Sequence, residues 1–110
     1  MNNILWLQKY FDECCNDDWE HTYQIKIETL DNPGWLVDIN LEDTNFKNAP
    51  FKEIQIDNND NNWLLCRIEN NIFKGRGGVN NLEDIITIFR DWVTMNDMSF
   101  TGKKMTGNKP

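Results

Sequence analysis

The sequence predicts an α+β fold: an antiparallel sheet of four or five strands in meander order, with an N-terminal and a C-terminal helix packed on one face. Apolar residues recur every three to four positions near both ends and at every second position between them, which indicates helix, strands and helix in that order. Pro-Gly and Asn pairs separate the central segments, as turns do. A sheet must bury one face, and the two amphipathic helices are the only elements able to cover it.

The first helix is predicted over residues 3–15. Its apolar residues follow the i, i+3/i+4, i+7 spacing of one buried face, which we assign to Ile4, Leu7, Phe11 and Cys14 or Cys15. Trp6 and Tyr10 flank that stripe, and core packing explains them better than a cofactor site. The helix is followed by the segment "NDDWEHT", residues 16–22, which we call the joint.

A β-hairpin is predicted after the joint. Residues 23–30 and 35–41 both alternate polar and apolar side chains, and the inward set of the second strand begins with Trp35. The stretch "DNPGW" connects them as a reverse turn. Pro33 presets the first central position, and Gly34 is expected at the second, where φ is positive.

Further strands are predicted over residues 53–57, 63–69 and, as a short fifth strand, 72–76. Asn70–Asn71 supplies a tight turn between the last two. The cluster "GRGG", residues 75–78, overlaps the end of this strand, and we interpret it, including Gly77 and Gly78, as a flexible turn that redirects the chain. A phosphate-binding loop is the alternative, but no Lys-Ser/Thr follows the glycines and no GxGxxG motif is present.

The second helix is predicted from Asn81 to Asn96. Asn80 or Asn81 caps it, and Glu83 and Asp84 occupy the first turn, where the helix dipole favours acids. Its buried face comprises Leu82, Ile85, Ile86, Phe89, Trp92 and Val93. We therefore predict one domain over residues 1–96 and a polar, flexible tail over residues 97–110.

The chain is acidic, with a net charge of −7. An acidic body repels a phosphate backbone and attracts basic partners, so we expect a protein partner and no nucleic acid. No apolar run is long enough to span a membrane, and the N-terminus does not resemble a secretory signal. We accordingly expect a cytoplasmic protein that does not bind a membrane, and we favour a monomer.

Three cysteines, at positions 14, 15 and 66, make a poor disulfide framework and a poor zinc site because two are adjacent and none forms a CxxC pair. We expect reduced, metal-free thiols. No pattern in the chain predicts a cofactor.

The sheet face away from the helices is a candidate partner-binding surface. From the alternation we expect five acids and two bases on it, around Leu36, Trp63 and Leu65. Apolar and aromatic side chains ringed by charge are typical of binding patches. We select Glu28, Asp38, Trp63 and Leu65 as its centre. The alternative is a plainly solvated sheet, or one that the tail covers.

The joint allows three interpretations. Its Asp17, Asp18, Glu20 and His21 are residue types that serve as acid–base groups or metal ligands. Consecutive loop residues rarely converge on one point, however, and the chain has no second histidine. A structural role is favoured for Trp19, as a plug between helix and sheet, and for His21, as a buried, hydrogen-bonded side chain. Asp17, Asp18 and Glu20 extend the partner-binding surface if they lie at its edge.

Several stretches in combination resemble the immunity protein 53 family, small bacterial proteins encoded beside polymorphic toxins. They are "WLQKYF", "DDWEHTYQIKIETLDNPGWLVDINL", "FKEIQID", "WLLCRIENNIFKGRGG" and "NLEDIITIFRDWV". The resemblance covers residues 4 to about 94. One departure is Asn16–Asp17, where the family leads us to expect a glycine; Asn and Asp also tolerate left-handed turns.

The resemblance implies a protein that binds and blocks a cognate toxin by occlusion and has no catalytic residues. A nuclease is one toxin class that an acidic protein suits, because such enzymes have basic clefts. Two other classes stay open: a small metal-dependent hydrolase that uses Asp17, Asp18, Glu20 and His21, and an unspecialised protein-interaction domain.

Overall fold

The computed structural model describes residues 2–101, with side chains as far as Asp97. Three helices and five strands follow one another along the chain. They are α1 (Asn3–Cys14), α2 (Trp19–Thr22), β1 (Ile25–Leu30), β2 (Gly34–Asn40), β3 (Ile54–Asn59), β4 (Asn62–Glu69), β5 (Ile72–Gly77) and α3 (Leu82–Thr101). The α+β fold class, with α1 and α3 on one face of an antiparallel sheet, is confirmed.

The strands lie in the order β1-β2-β5-β4-β3, so the predicted meander order is wrong in one respect. The chain leaves β2, crosses to the far edge of the sheet and returns, so that β5 pairs with both β2 and β4. The strand predicted as a short fifth strand, β5, is therefore the central strand of the sheet. Long-range pairing of this kind leaves no signature within a single strand.

Glycines on β5 let α3 lie close to the centre of the sheet. A Cβ at Gly75 would stand 2.4 Å from Cγ2 of Ile85, and one at Gly77 would stand 3.0 Å from Cδ1 of the same side chain. The interpretation of "GRGG" as a flexible turn is thus wrong for Gly75 and Gly77, which are strand residues. Gly78 follows the strand, where a Cβ would meet the carbonyl oxygen of Asn61 at 2.8 Å.

The two hairpin turns obtain their shape in different ways. Asn70 and Asn71 have φ values of 54° and 60°, as a two-residue turn between twisted strands requires, so that prediction is confirmed. Gly34 was expected to have a positive φ, and that is wrong: it is the first residue of β2 and no glycine among the described residues has a positive φ. Because Gly34 has no Cβ, it instead leaves room for the carbonyl oxygen of Gly77, which lies 2.3 Å from where a Cβ would stand.

The buried stripe of α1 is rotated by about one residue from the predicted one. Asn3, Leu7 and Tyr10 are buried, whereas Ile4 and Phe11 are exposed by 56% and 41%. The reason is Asn3, which carries polar contacts that periodicity does not reveal. Its side-chain amide donates to Oγ1 of Thr87 at 2.7 Å and accepts from the guanidinium of Arg90 at 3.0 Å, which fastens α1 to α3.

One hydrophobic core lies between the helices and the sheet. The inward positions predicted for β2 and β4 are buried, apart from Trp35 and Ile68, which are half-buried. Phe73 of β5 meets Phe89 of α3 with ring centroids 4.9 Å apart. Buried polar groups are mostly satisfied: the Trp92 indole donates to the carbonyl of Pro50 at 2.8 Å. The core thus faces only one side of the sheet, and the other side is left without a covering layer.

α3 continues to Thr101, five residues past its predicted end at Asn96. Residues 102–110, the rest of the predicted tail, lie outside the described residues, so the division into a domain and a tail stays a prediction. Within residues 2–101, no helix combines the length and apolar character needed to cross a membrane.

The three cysteines are free thiols, and burial raises the thiol pKa of each of them. Burial raises the pKa of the Cys66 thiol from 9.0 to about 12, and it also raises the pKa of the Tyr10 hydroxyl. Both groups stay neutral in the folded chain at pH values where the unfolded chain ionises.

We therefore expect the free energy of unfolding to be insensitive to Cys66 below pH 9 and to fall as the pH rises from 9 towards 12. The slope that one such group contributes is at most about 1.4 kcal/mol per pH unit. Urea unfolding at several pH values measures it. Cys66→Ala should reduce the alkaline slope, and an unchanged slope in this variant would contradict the assignment.

Candidate partner-binding face

The uncovered side of the sheet presents the alternate residues of all five strands. Cross-strand pairing aligns these residues in rows that run across the sheet. We call this side of the sheet the outer face. Its central row crosses all five strands and consists of Glu28, Leu36, Arg76, Leu65 and Gln55. The predicted centre residues Glu28, Asp38, Trp63 and Leu65 all lie on this face, which brings them together as the alternation predicted.

The expected charge of the outer face is wrong, because β5 lies in the middle of the sheet. Pairing with β2 and β4 places Lys74 and Arg76 among the acids, so that the five acids stand against four bases rather than two. The sequence could not place these two cations, because the position of β5 between β2 and β4 was not apparent from it.

Each of the four bases on the outer face has a carboxylate partner. Arg76 bonds Asp38 at 2.8 Å, Lys74 bonds Glu69 at 2.9 Å, Arg67 stands 3.7 Å from Glu69 and Lys26 stands 3.4 Å from Glu28. The two cations near Glu69 lower the pKa of its carboxyl group, Lys74 through a hydrogen bond first. Two of the acids selected for partner binding, Glu28 and Asp38, are therefore largely neutralised within the sheet.

One end of the outer face is concave. We call it the turn-end concavity; its volume is about 530 Å³. The loop between β1 and β2 and the turn between β3 and β4 form its walls, and Trp63 and Leu65 line it from β4. Its lining residues are Asn32, Pro33, Gln55, Asp57, Asn59, Asp60, Asn61, Trp63, Leu64 and Leu65.

Trp63 is held in place by Asn81, a residue whose role the sequence did not reveal. Asn81 is 2% exposed, and its side-chain oxygen accepts from the backbone N–H of Trp63 at 3.2 Å. Its amide donates to Asn62 and to Asp84, each at 3.0 Å. The sequence predicted Asn80 or Asn81 as the helix cap. The structure shows that the Asn81 side chain also anchors β4 to the start of α3 through these hydrogen bonds.

The joint is a hydrogen-bonded structural element. Both carboxylate oxygens of Glu20 accept backbone N–H groups, from Asn16 at 3.0 Å and Asp17 at 2.9 Å, and backbone hydrogen bonds lower the pKa of this carboxyl. Asn16 accepts the N–H of Trp19 at 2.9 Å, which starts α2. Asp17 has a φ of 72°, so an aspartate does occupy the left-handed position where a glycine was expected.

Trp19 is buried, as a structural plug requires, but it fills the space between α1 and the chain after β2 rather than one between helix and sheet. It is 1% exposed, its indole N–H donates to the carbonyl of Glu42 at 2.9 Å, and its ring meets Phe11 of α1 edge-on with centroids 6.2 Å apart. These contacts tie the joint to the helix side of the molecule. Asp17, Asp18 and Glu20 are consequently not residues of the outer face.

His21 is not buried, so the structural role predicted for it is wrong. Its side chain is 75% exposed, and the nearest carboxylate oxygen, from Glu20, stands 4.0 Å away. α2 is a single turn that directs Trp19 inward, which leaves His21 on the opposite, solvent side. Among the described residues, no three His, Cys, Asp or Glu side chains are grouped as metal ligands would be.

Comparison with known proteins identifies a family for this chain. No curated protein and no solved structure is detectably similar to this chain. The family model described as immunity protein 53 matches residues 4–94, a span that includes the joint, all five strands and most of α3. The chain therefore belongs to the immunity protein 53 family and is an immunity protein directed against a toxin.

Proposed function

We propose that this protein neutralises its cognate toxin by binding it with the outer face and occluding the toxin's active site. The observation that carries the proposal is the uncovered sheet face of a family member whose helices all lie on the other side. Half-buried Leu36, Trp63 and Leu65 offer apolar area there, among charged side chains that order the surface. Apolar anchors within a polar rim are the usual anatomy of a specific interface.

The charge of the chain favours a basic toxin. Residues 1–96 carry 17 acids and 8 bases, and such an excess accelerates encounter with a positively charged partner. A nuclease is the toxin class that fits best, because its substrate-binding cleft is basic and an acidic protein can occupy it in place of the nucleic acid. We further propose that the protein acts in the cytoplasm as a monomer.

Occlusion suits the geometry better than catalysis by the joint. The Glu20 carboxylate already accepts two backbone hydrogen bonds, and its orientation is thereby fixed towards the loop. His21 lies exposed beside it, and the Glu20 carboxylate, 4.0 Å from its imidazole, is beyond hydrogen-bond distance. A hydrolase needs a base held within reach of the group it serves.

Co-expression with the toxin encoded beside its gene tests the proposal. We expect cells that make the toxin to survive when they also make this protein, and we expect the purified pair to form a complex. His21→Ala in the same assay separates the two mechanisms, because occlusion by the outer face does not need the imidazole. Equal killing with and without this protein would refute antagonism of that toxin.

A further inference from the structure

Two unpaired carboxylates lie together at one end of the outer face. Each base of the outer face is within 4.0 Å of a carboxylate. Arg76 lies in the central row, and Lys26, Lys74 and Arg67 lie in the next row, on the side away from the turn-end concavity. Asp57 and Asp60, at the turn-end concavity, are exposed, and within the part of the chain that the structure describes neither forms an ion pair. Glu53 is likewise exposed and forms no ion pair among the described residues, but it stands alone before β3, so the concavity is where two unpaired carboxylates lie together.

An aromatic ring lies beside these carboxylates. Trp63 stands directly opposite Asp57 in the register of β3 and β4, and side chains so paired are neighbours on one face. The Trp63 backbone is fixed on both sides, since its N–H donates to buried Asn81 at 3.2 Å and its carbonyl accepts from Gly78 at 3.0 Å. The indole is thus attached to a rigidly held backbone, so no backbone freedom has to be lost there when a partner binds.

We propose that the turn-end concavity receives a lysine or arginine side chain of the toxin, held between the Trp63 ring and the carboxylates of Asp57 and Asp60. The inference rests on the proposed function and adds the site and chemistry of contact. A cation is attracted to the face of an indole and to carboxylates at once. The amide groups of Asn32 and Gln55 add acceptors for the donors of a guanidinium.

The lining of the concavity disfavours other occupants. It contains two carboxylates and no lysine, arginine or histidine, so an acidic segment or a phosphate group would be repelled. A purely apolar segment would leave Asp57 and Asp60 desolvated without partners, which is costly. A cationic side chain is the occupant that satisfies the ring and the carboxylates together.

The experiment measures toxin affinity for Trp63→Ala and Asp57→Lys beside the parent protein. A truncated hot-spot residue typically weakens binding by about 30-fold, and we expect that loss or more for Trp63→Ala. Asp57→Lys should weaken binding at least as much at low salt, and the loss should shrink as salt rises. Asp12→Lys is the matched control: it makes the same charge change in the last turn of α1, where the helix dipole tolerates a cation.

Thermal melting of each variant checks that it is folded. Trp63→Phe serves as the conservative substitution, and it should restore part of the affinity that Trp63→Ala loses. A double-mutant cycle of Asp57→Asn against each toxin arginine and lysine in turn identifies the occupant, and we expect coupling of about tenfold or more for one of them.

The outcomes separate the two proposals. If the parent protein does not bind the toxin, the proposed function fails. If the parent binds and folded Trp63→Ala and Asp57→Lys bind equally well, the function stands and the concavity is the wrong site. If Trp63→Ala weakens binding but Asp57→Lys does so no more than Asp12→Lys, the occupant is not a cation, and the inference is overturned.

Discussion

Trp19→Ala is expected to lower the free energy of unfolding by about 3–5 kcal/mol, the range for truncating a large aromatic side chain in a packed core. The indole is 1% exposed, and its ring contacts Phe11 and Tyr23 at centroid distances of 6.2 Å. Its removal leaves a cavity between α1 and the chain after β2. It also leaves the carbonyl of Glu42 without the hydrogen bond that it now accepts at 2.9 Å.

Urea unfolding followed by circular dichroism measures this effect. His21→Ala is the matched control, because His21 lies two residues away on the same turn of helix with a 75% exposed side chain. Its substitution should change stability by less than about 0.5 kcal/mol. Equal effects of the two substitutions would mean that the joint is not the packed element described above.

Gly34→Ala is expected to cost about 2–3 kcal/mol or more, because overpacking against backbone cannot be relieved by a side-chain rotation. The added Cβ would stand 2.3 Å from the carbonyl oxygen of Gly77, so β2 and β5 would have to separate locally. These two strands form the centre of the sheet, and Trp35 pairs with Gly77 there.

The comparison with asparagine distinguishes lack of space from a need for positive φ. Asparagine tolerates the left-handed region but carries a Cβ, so Gly34→Asn should be as harmful as Gly34→Ala. Asn70→Gly is the complementary control: Asn70 has a φ of 54°, and glycine is comfortable there. We expect its midpoint of unfolding to stay close to that of the parent protein. A well-tolerated Gly34→Asn would contradict the steric explanation.

Prediction of the candidate site succeeded where a pattern is local to one strand. The alternation in β1, β2 and β4 correctly assigned Glu28, Asp38, Trp63 and Leu65 to one face. It failed for the charge of that face, because Lys74 and Arg76 enter it through the central position of β5. It also missed Asn81, since a polar residue before a helix suggests a cap and gives no sign of its contact with Trp63.

The sequence by itself determined the types and order of α1, the five strands and α3, the inward side of each strand and the excess of negative charge, but not the single-turn helix α2 within the joint. These properties depend on neighbours along the chain, and the periods of 2 and 3.6 record them. Only the tertiary structure decided the strand order, the rotation of α1 that buries Asn3, and the pairing of the outer-face bases with acids. Those depend on residues far apart in the chain: Arg76 and Asp38 are 38 positions apart, and their meeting follows from how β2 and β5 pair.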